Sequence, residues 1–203
     1  WQLPDGTPCL IPAYLNIEQR GADWWLLDRD GRDLAVQRRG CLYFEQTRFP
    51  LADTDITRDD FSGLEEALGR NMWSAAAHPG GHLSPFDDFD ELAAGARQLR
   101  ASTDRAIVGL FGGNLFELPQ WLYGMQNYFL YMGLYPEHVT RLSEALCQLH
   151  LRCLERWLAA VGPHIDVVCF GDDLGGQNGP LMSVEMYRRF YKPFHARLWR
   201  RAG

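Results

Sequence analysis

Two apolar runs that end in glycine, separated by one long amphipathic segment, set the tightest limit on how this chain folds. The first is Arg105-Ala106-Ile107-Val108-Gly109-Leu110-Phe111-Gly112-Gly113; the second is Ile165-Asp166-Val167-Val168-Cys169-Phe170, running into Gly171-Asp172-Asp173. Neither alternates apolar with polar residues, so each predicts a strand covered on both faces, as in a parallel sheet. Between them Pro136 opens a helix in which Val139, Leu142, Leu146, Leu149, Cys153 and Trp157 recur at helical spacing, and Gly162-Pro163 stops it. Ser183 caps a further helix carrying Met186, Phe190 and Phe194, in which Pro193 predicts a kink. Strand, helix, strand, helix is the grammar of an α/β fold with a parallel sheet.

Residues 1–50 read differently. Trp24 to Leu27 and Leu34 to Val36 flank Asp28-Arg29-Asp30-Gly31, an Asp-Gly hairpin signal, and Gly40 to Phe44 predicts another strand. This region is expected to be an antiparallel β-hairpin extension. Residues 51–203 are expected to form part of a (β/α)8 barrel. Helices are predicted over Phe61 to Met72 and Phe89 to Leu99, with a surface loop at His78-Pro79-Gly80-Gly81-His82 between them. Only two convincing core strands are found, whereas a whole barrel takes about 250 residues, so the expectation is a partial TIM barrel, truncated at both ends.

Composition narrows the partners. Hydrophobic residues make up 46% of the 203 positions, enough for a packed core. A net charge of -6 with scattered Lys and Arg leaves no basic stripe for nucleic acid. The absence of an apolar run near 20 residues argues against a membrane span and for a cytoplasmic protein. Cys9, Cys41, Cys147, Cys153 and Cys169 form no C-x-x-C pair, so reduced thiols are expected, with the last three as small buried apolar residues.

Ligands of α/β folds bind where the strands end at their carboxyl termini. Gly112, Gly113 and Asn114 follow the first run, and the glycines there permit close backbone approach to a substrate. Asp172 and Asp173 follow the second, and two acids at the tip of an apolar strand must be hydrogen-bonded, protonated or bound to a cation. They are the candidate catalytic pair. Gln177 and Asn178 on the same loop offer neutral hydrogen-bonding groups to a polar substrate. His195 reads as an exposed helix histidine. Trp121, Tyr123, Tyr128, Phe129 and Tyr131 form an aromatic stretch that reads first as helix packing and second as a flat binding surface.

The stretch GDDLGGQNGPLMSVEMYRRFYKPFHARL resembles the strand, loop and helix of uroporphyrinogen decarboxylase superfamily proteins. The likeness rests on Gly179-Pro180-Leu181, Ser183, Tyr187, Phe190, Lys192 and Pro193, with support from Thr103 to Ile107, Gly31, Tyr43-Phe44 and Pro50-Leu51. The resemblance implies one of two chemistries: tetrapyrrole decarboxylation without a cofactor in porphyrin biosynthesis, or methyl transfer involving a methylcorrinoid, with zinc activating a thiol. The Gly-Asp-Asp strand end is similar to the corrinoid-dependent methyltransferase-like branch, since the decarboxylase carries a serine near Asp172. The decarboxylase tyrosine that follows the first strand also falls here near Gln120 or Trp121, with Tyr123 displaced. The resemblance further implies a tetrapyrrole or corrinoid ligand, or a corrinoid protein as partner. Zinc would belong to the full-length parent, with ligands beyond Gly203 and none within this chain, which alone is expected to be inactive. A non-catalytic carrier of the same macrocycles is the reading from another class. On the sequence alone, Asp172→Asn in the parent is expected to cut turnover while sparing the fold.

Overall fold

The computed structural model describes residues 5–8, 15–28, 30–72 and 89–203. It is a mixed α/β structure with small sheets and, among the described residues, seven α-helices. The His78 and His82 loop and Cys9 lie outside the described residues.

The amino-terminal region is a four-stranded antiparallel meander, β1 (Ile17–Arg20), β2 (Asp23–Leu27), β3 (Asp33–Gln37) and β4 (Glu45–Gln46). The predicted hairpin is present, with Trp25 opposite Val36 and Leu26 opposite Ala35. Its turn is organised by Asp28, whose Oδ1 accepts the backbone N–H groups of Asp30 and Arg32, both at 2.9 Å. Gly31 takes φ +77°, a conformation glycine adopts without a Cβ penalty. The strand predicted over Gly40 to Phe44 forms instead at the following residues of β4; β1 carries no comparable signal, being mostly polar and exposed. Gln46 fastens this sheet to the helices, its Nε2 donating to the carbonyl oxygens of Arg48 at 2.7 Å and Trp121 at 2.8 Å.

α1 (Leu64–Leu68) is much shorter than the predicted helix. The reason is local: Phe61 sits at φ +63°, outside the helical region, with its N–H held 2.7 Å from Asp59 Oδ1. α2 (Phe89–Ser102) forms where the Leu92, Ala96 and Leu99 spacing places it.

The two apolar runs become β5 (Val108–Gly112) and β6 (Val167–Phe170), which pair in parallel with Val108 opposite Val167 and Leu110 opposite Cys169. α3 (Glu117–Tyr123), α4 (Met125–Leu134) and α5 (Pro136–Val161) lie between them. Pro136 occupies the first turn of α5, where its missing N–H is not needed, and Val139, Leu142, Leu146, Leu149, Leu154 and Trp157 all face the core. One face of the strand pair packs on this helix: Phe111 lies 5.6 Å from Trp157 and 5.7 Å from Phe170, ring centre to ring centre. On the opposite face Val108 is 59% and Leu110 72% exposed, with Val167 and Cys169 exposed beside them; among the described residues this face is open. Continuous hydrophobicity therefore over-predicts burial, for the strands and for Cys169. Cys147 is buried, which pushes its thiol up to about 11.

After β6 come the two-residue strands β7 (Gly175–Gly176) and β8 (Gly179–Pro180), then α6 (Val184–Phe190) and α7 (Lys192–Ala202). The kink expected at Pro193 is a break between two helices at Tyr191, and Pro193 lies in the first turn of α7. Ser183 caps α6 as expected, its Oγ accepting the Met186 N–H at 3.1 Å. Ser183→Ala should therefore lower stability by about 1 kcal/mol in urea titrations, while threonine at this position retains most of it.

Candidate functional site

The carboxyl ends of β5 and β6 lie side by side, joined where the Gly171 N–H donates to the Gly112 carbonyl at 2.7 Å. Gly112 at φ +83° and Gly113 at φ +75° turn the chain out of β5 in a conformation that disfavours any side chain. Asn114 then packs its amide over Gly171, where a Cβ would come within 2.9 Å of Asn114 Oδ1.

α3 begins just beyond, and its amino terminus poses a problem. Phe116 stands at the N-cap and has no side-chain oxygen, so the first N–H groups of the helix need an acceptor from elsewhere. Asp172 is that acceptor. Its Oδ1 accepts from Glu117 N–H at 2.8 Å and Phe116 N–H at 3.1 Å; its Oδ2 accepts from Leu115 and Phe116 N–H, both at 2.9 Å. The negative carboxylate also meets the positive end of the helix dipole.

A fourth donor group reaches the same carboxylate. His195 Nε2 lies 3.0 Å from Asp172 Oδ2, and the two side chains are each only 5% exposed. The other ring nitrogen, Nδ1, is 3.3 Å from the Tyr187 hydroxyl, and the indole of Trp199 stacks on the imidazole at 5.4 Å with 9° between the planes. The expectation of a surface histidine is overturned: His195 is buried on the inner face of α7 with Phe194 and Leu198. The signal is present in the sequence, because Tyr191, Phe194, His195 and Leu198 repeat at the spacing of a buried stripe.

Glu117 carries no signal of its own in the sequence beyond following the first glycine segment. Its carboxylate accepts from Asn114 Nδ2 at 2.5 Å, and burial, with Asp172 and Asp173 nearby, raises its carboxyl above the usual range against that hydrogen bond. A carboxyl raised in the folded state stabilises the fold fully below its ordinary 4.5 and loses that contribution as pH climbs through the raised value. Glu117→Gln should consequently flatten the stability curve from pH 4.5 upward, read as the difference in urea midpoint between variant and wild type. An unchanged slope would show that the carboxyl titrates as it does in the unfolded chain.

Asp173, next to Asp172, is exposed, and its carboxylate accepts a long 3.5 Å contact from Gly175 N–H. Gln177 and Asn178 are exposed at the turn between β7 and β8. The structure thus brings Asp172, Asn114, Glu117, His195 and Tyr187 into one connected network, with Gly112 and Gly113 shaping its backbone. Tyr123 and Tyr128 are fully buried and serve packing: the Tyr128 and Tyr191 hydroxyls are 2.7 Å apart, and Tyr191 reaches Met132 Sδ at 3.6 Å. Among the described residues no three His, Cys, Asp or Glu side chains are grouped to hold a metal ion, and no helix is long and apolar enough to cross a membrane.

No family model, curated protein or solved structure matches the chain.

Proposed function

We propose that the chain is the catalytic-face section of a (β/α)8-barrel enzyme, and that the open side of β5 and β6 is the side turned towards the barrel axis. The observation that carries this reading is the convergence of two parallel strand ends on one buried acid network. Strand ends of this kind are where barrel enzymes place their chemistry. The exposed Val108, Leu110 and Val167 support the same reading, since the inward face of a barrel is filled by apolar side chains from all of its strands.

Within that class the reading is an enzyme of the uroporphyrinogen decarboxylase superfamily, of the corrinoid-dependent methyltransferase-like branch. Its support is the Gly-Asp-Asp strand end and the segment from Gly179-Pro180-Leu181 to Pro193. What this chain supplies is the fixed polar wall: Asp172 holds the start of α3 and the His195 ring, while Asn114 and Glu117 line the adjoining backbone turn.

The parent enzyme should demethylate methylcobalamin in the presence of a thiol, followed as the absorbance change from alkylated to free cobalamin. Decarboxylation of uroporphyrinogen without demethylation would place it in the other branch. Binding of cobalamin with neither reaction would make it a carrier.

A further inference from the structure

The hydrogen bonds around His195 fix which way protons can travel. A carboxylate only accepts, and Asp172 is engaged by three backbone N–H groups as well as by the ring, so His195 Nε2 is the nitrogen that carries hydrogen. In a neutral imidazole the other nitrogen then has a free lone pair. That lone pair, on Nδ1, faces the Tyr187 hydroxyl at 3.3 Å, and the phenol is its donor.

Exposure gives the chain a direction. His195 is 4% exposed and the Asp172 side chain 5%, whereas Tyr187 on α6 is only half-buried. Tyr187 is the least covered member of the three. Trp199 covers one face of the imidazole and Tyr191 lies beside it, so the ring meets polar groups at its two nitrogens, Asp172 on one and Tyr187 on the other.

We propose that Tyr187, His195 and Asp172 form a proton-accepting chain in which the Tyr187 hydroxyl takes a proton from a thiol or hydroxyl ligand and passes its own proton to His195 Nδ1. The balance is complete without any further reactant. The ligand X–H bond breaks and a new O–H bond forms on Tyr187. The original Tyr187 O–H bond breaks and an N–H bond forms at Nδ1. The products are an X⁻ anion, a neutral phenol and an imidazolium whose charge is met by Asp172. Burial and the Asp172 charge both raise the Tyr187 phenol above its ordinary value, which keeps it neutral before and after the transfer.

The geometry of the chain stands apart from the methyl-transfer reading; the choice of a thiol as its natural ligand rests on that reading. Two measurements separate them. The first uses the parent enzyme labelled with 15N-histidine and a long-range 1H–15N correlation spectrum, with the His195 signals assigned by their loss in His195→Gln. His195 should appear as the Nε2–H tautomer, and Tyr187→Phe should move the Nδ1 resonance downfield, towards that of a lone pair without a donor, while Nε2 stays nearly in place. An Nδ1–H tautomer, or an Nδ1 resonance that ignores Tyr187→Phe, overturns the proposal. The second uses the parent enzyme with methylcobalamin and 2-mercaptoethanol. Tyr187→Phe should lower kcat about 100-fold or more with little change in KM for methylcobalamin, as expected for loss of an acid-base group. Equal turnover by wild type and variant overturns the relay. A wild-type enzyme that transfers no methyl group sinks the functional reading instead, and the spectra then decide the relay alone.

Discussion

Asp172→Ala is expected to destabilise the chain by about 3 kcal/mol or more, because each buried donor left without an acceptor costs about 1–3 kcal/mol. The alanine leaves the N–H groups of Leu115, Phe116 and Glu117 without their acceptor and strips His195 Nε2 of its partner in the same stroke. Water can take over little of this, because the Asp172 side chain is only 5% exposed. Asp172→Asn should also lose stability, since the amide brings an N–H₂ group towards donors that need an oxygen. The geometry therefore changes what the sequence alone leads one to expect of that variant: lower turnover will be accompanied by a weaker fold. The neighbouring Asp173→Ala is the internal control. Its side chain is exposed, so its urea midpoint should stay within about 0.5 kcal/mol of wild type. Equal midpoints for the Asp172 and Asp173 alanine variants would remove Asp172 from its place as the acceptor for α3.

The second large effect comes from a single methyl group at Gly109. A Cβ there would stand 2.6 Å from Trp157 Cη2, 2.9 Å from Trp157 Cζ2 and 2.8 Å from Ile165 Cδ1. Trp157 is a rigid bicycle in a buried position on α5, so the strand must move away from the helix. Overpacking of this kind costs about 1–3 kcal/mol, and two close neighbours place Gly109→Ala towards the upper end. The same substitution at Gly95, inside α2 with open space where a Cβ would stand, should instead stabilise by about 0.5–1 kcal/mol through helix propensity. Opposite signs for one chemical change, read from two thermal melts, test the packing of β5 on α5 without reference to function.

The parts of the fold that are legible in the sequence are those where one face decides the pattern. α5 repeats its apolar residues at three and four because it lies against the core along its whole length, and Pro136 marks its start. The turn at Asp28 to Gly31 is legible because its residue types are required by its backbone. Strand burial is not, because Val108, Leu110 and Val167 carry the composition of a covered strand and the described residues leave them open. The site is half legible. Asp172 stands out because an acid at the tip of an apolar strand demands partners; which partners it finds depends on α3 and α7 reaching it from 55 or more positions before it and 23 after it. His195 escapes a reading that weighs its polarity above its place in the Phe194, His195, Leu198 stripe.

That one carboxylate gathers groups from segments synthesised at quite different moments. A growing polypeptide that has reached residue 180 already carries the strand tip and the backbone amides of residues 115–117, but it lacks the imidazole. The imidazole arrives with α7, only 23 positions after the acid, so its loop closes at lower entropic cost than the 55 or more positions that separate the amides from the same carboxylate. A chain that stops before α7 therefore lacks one of the four groups that meet the Asp172 carboxylate.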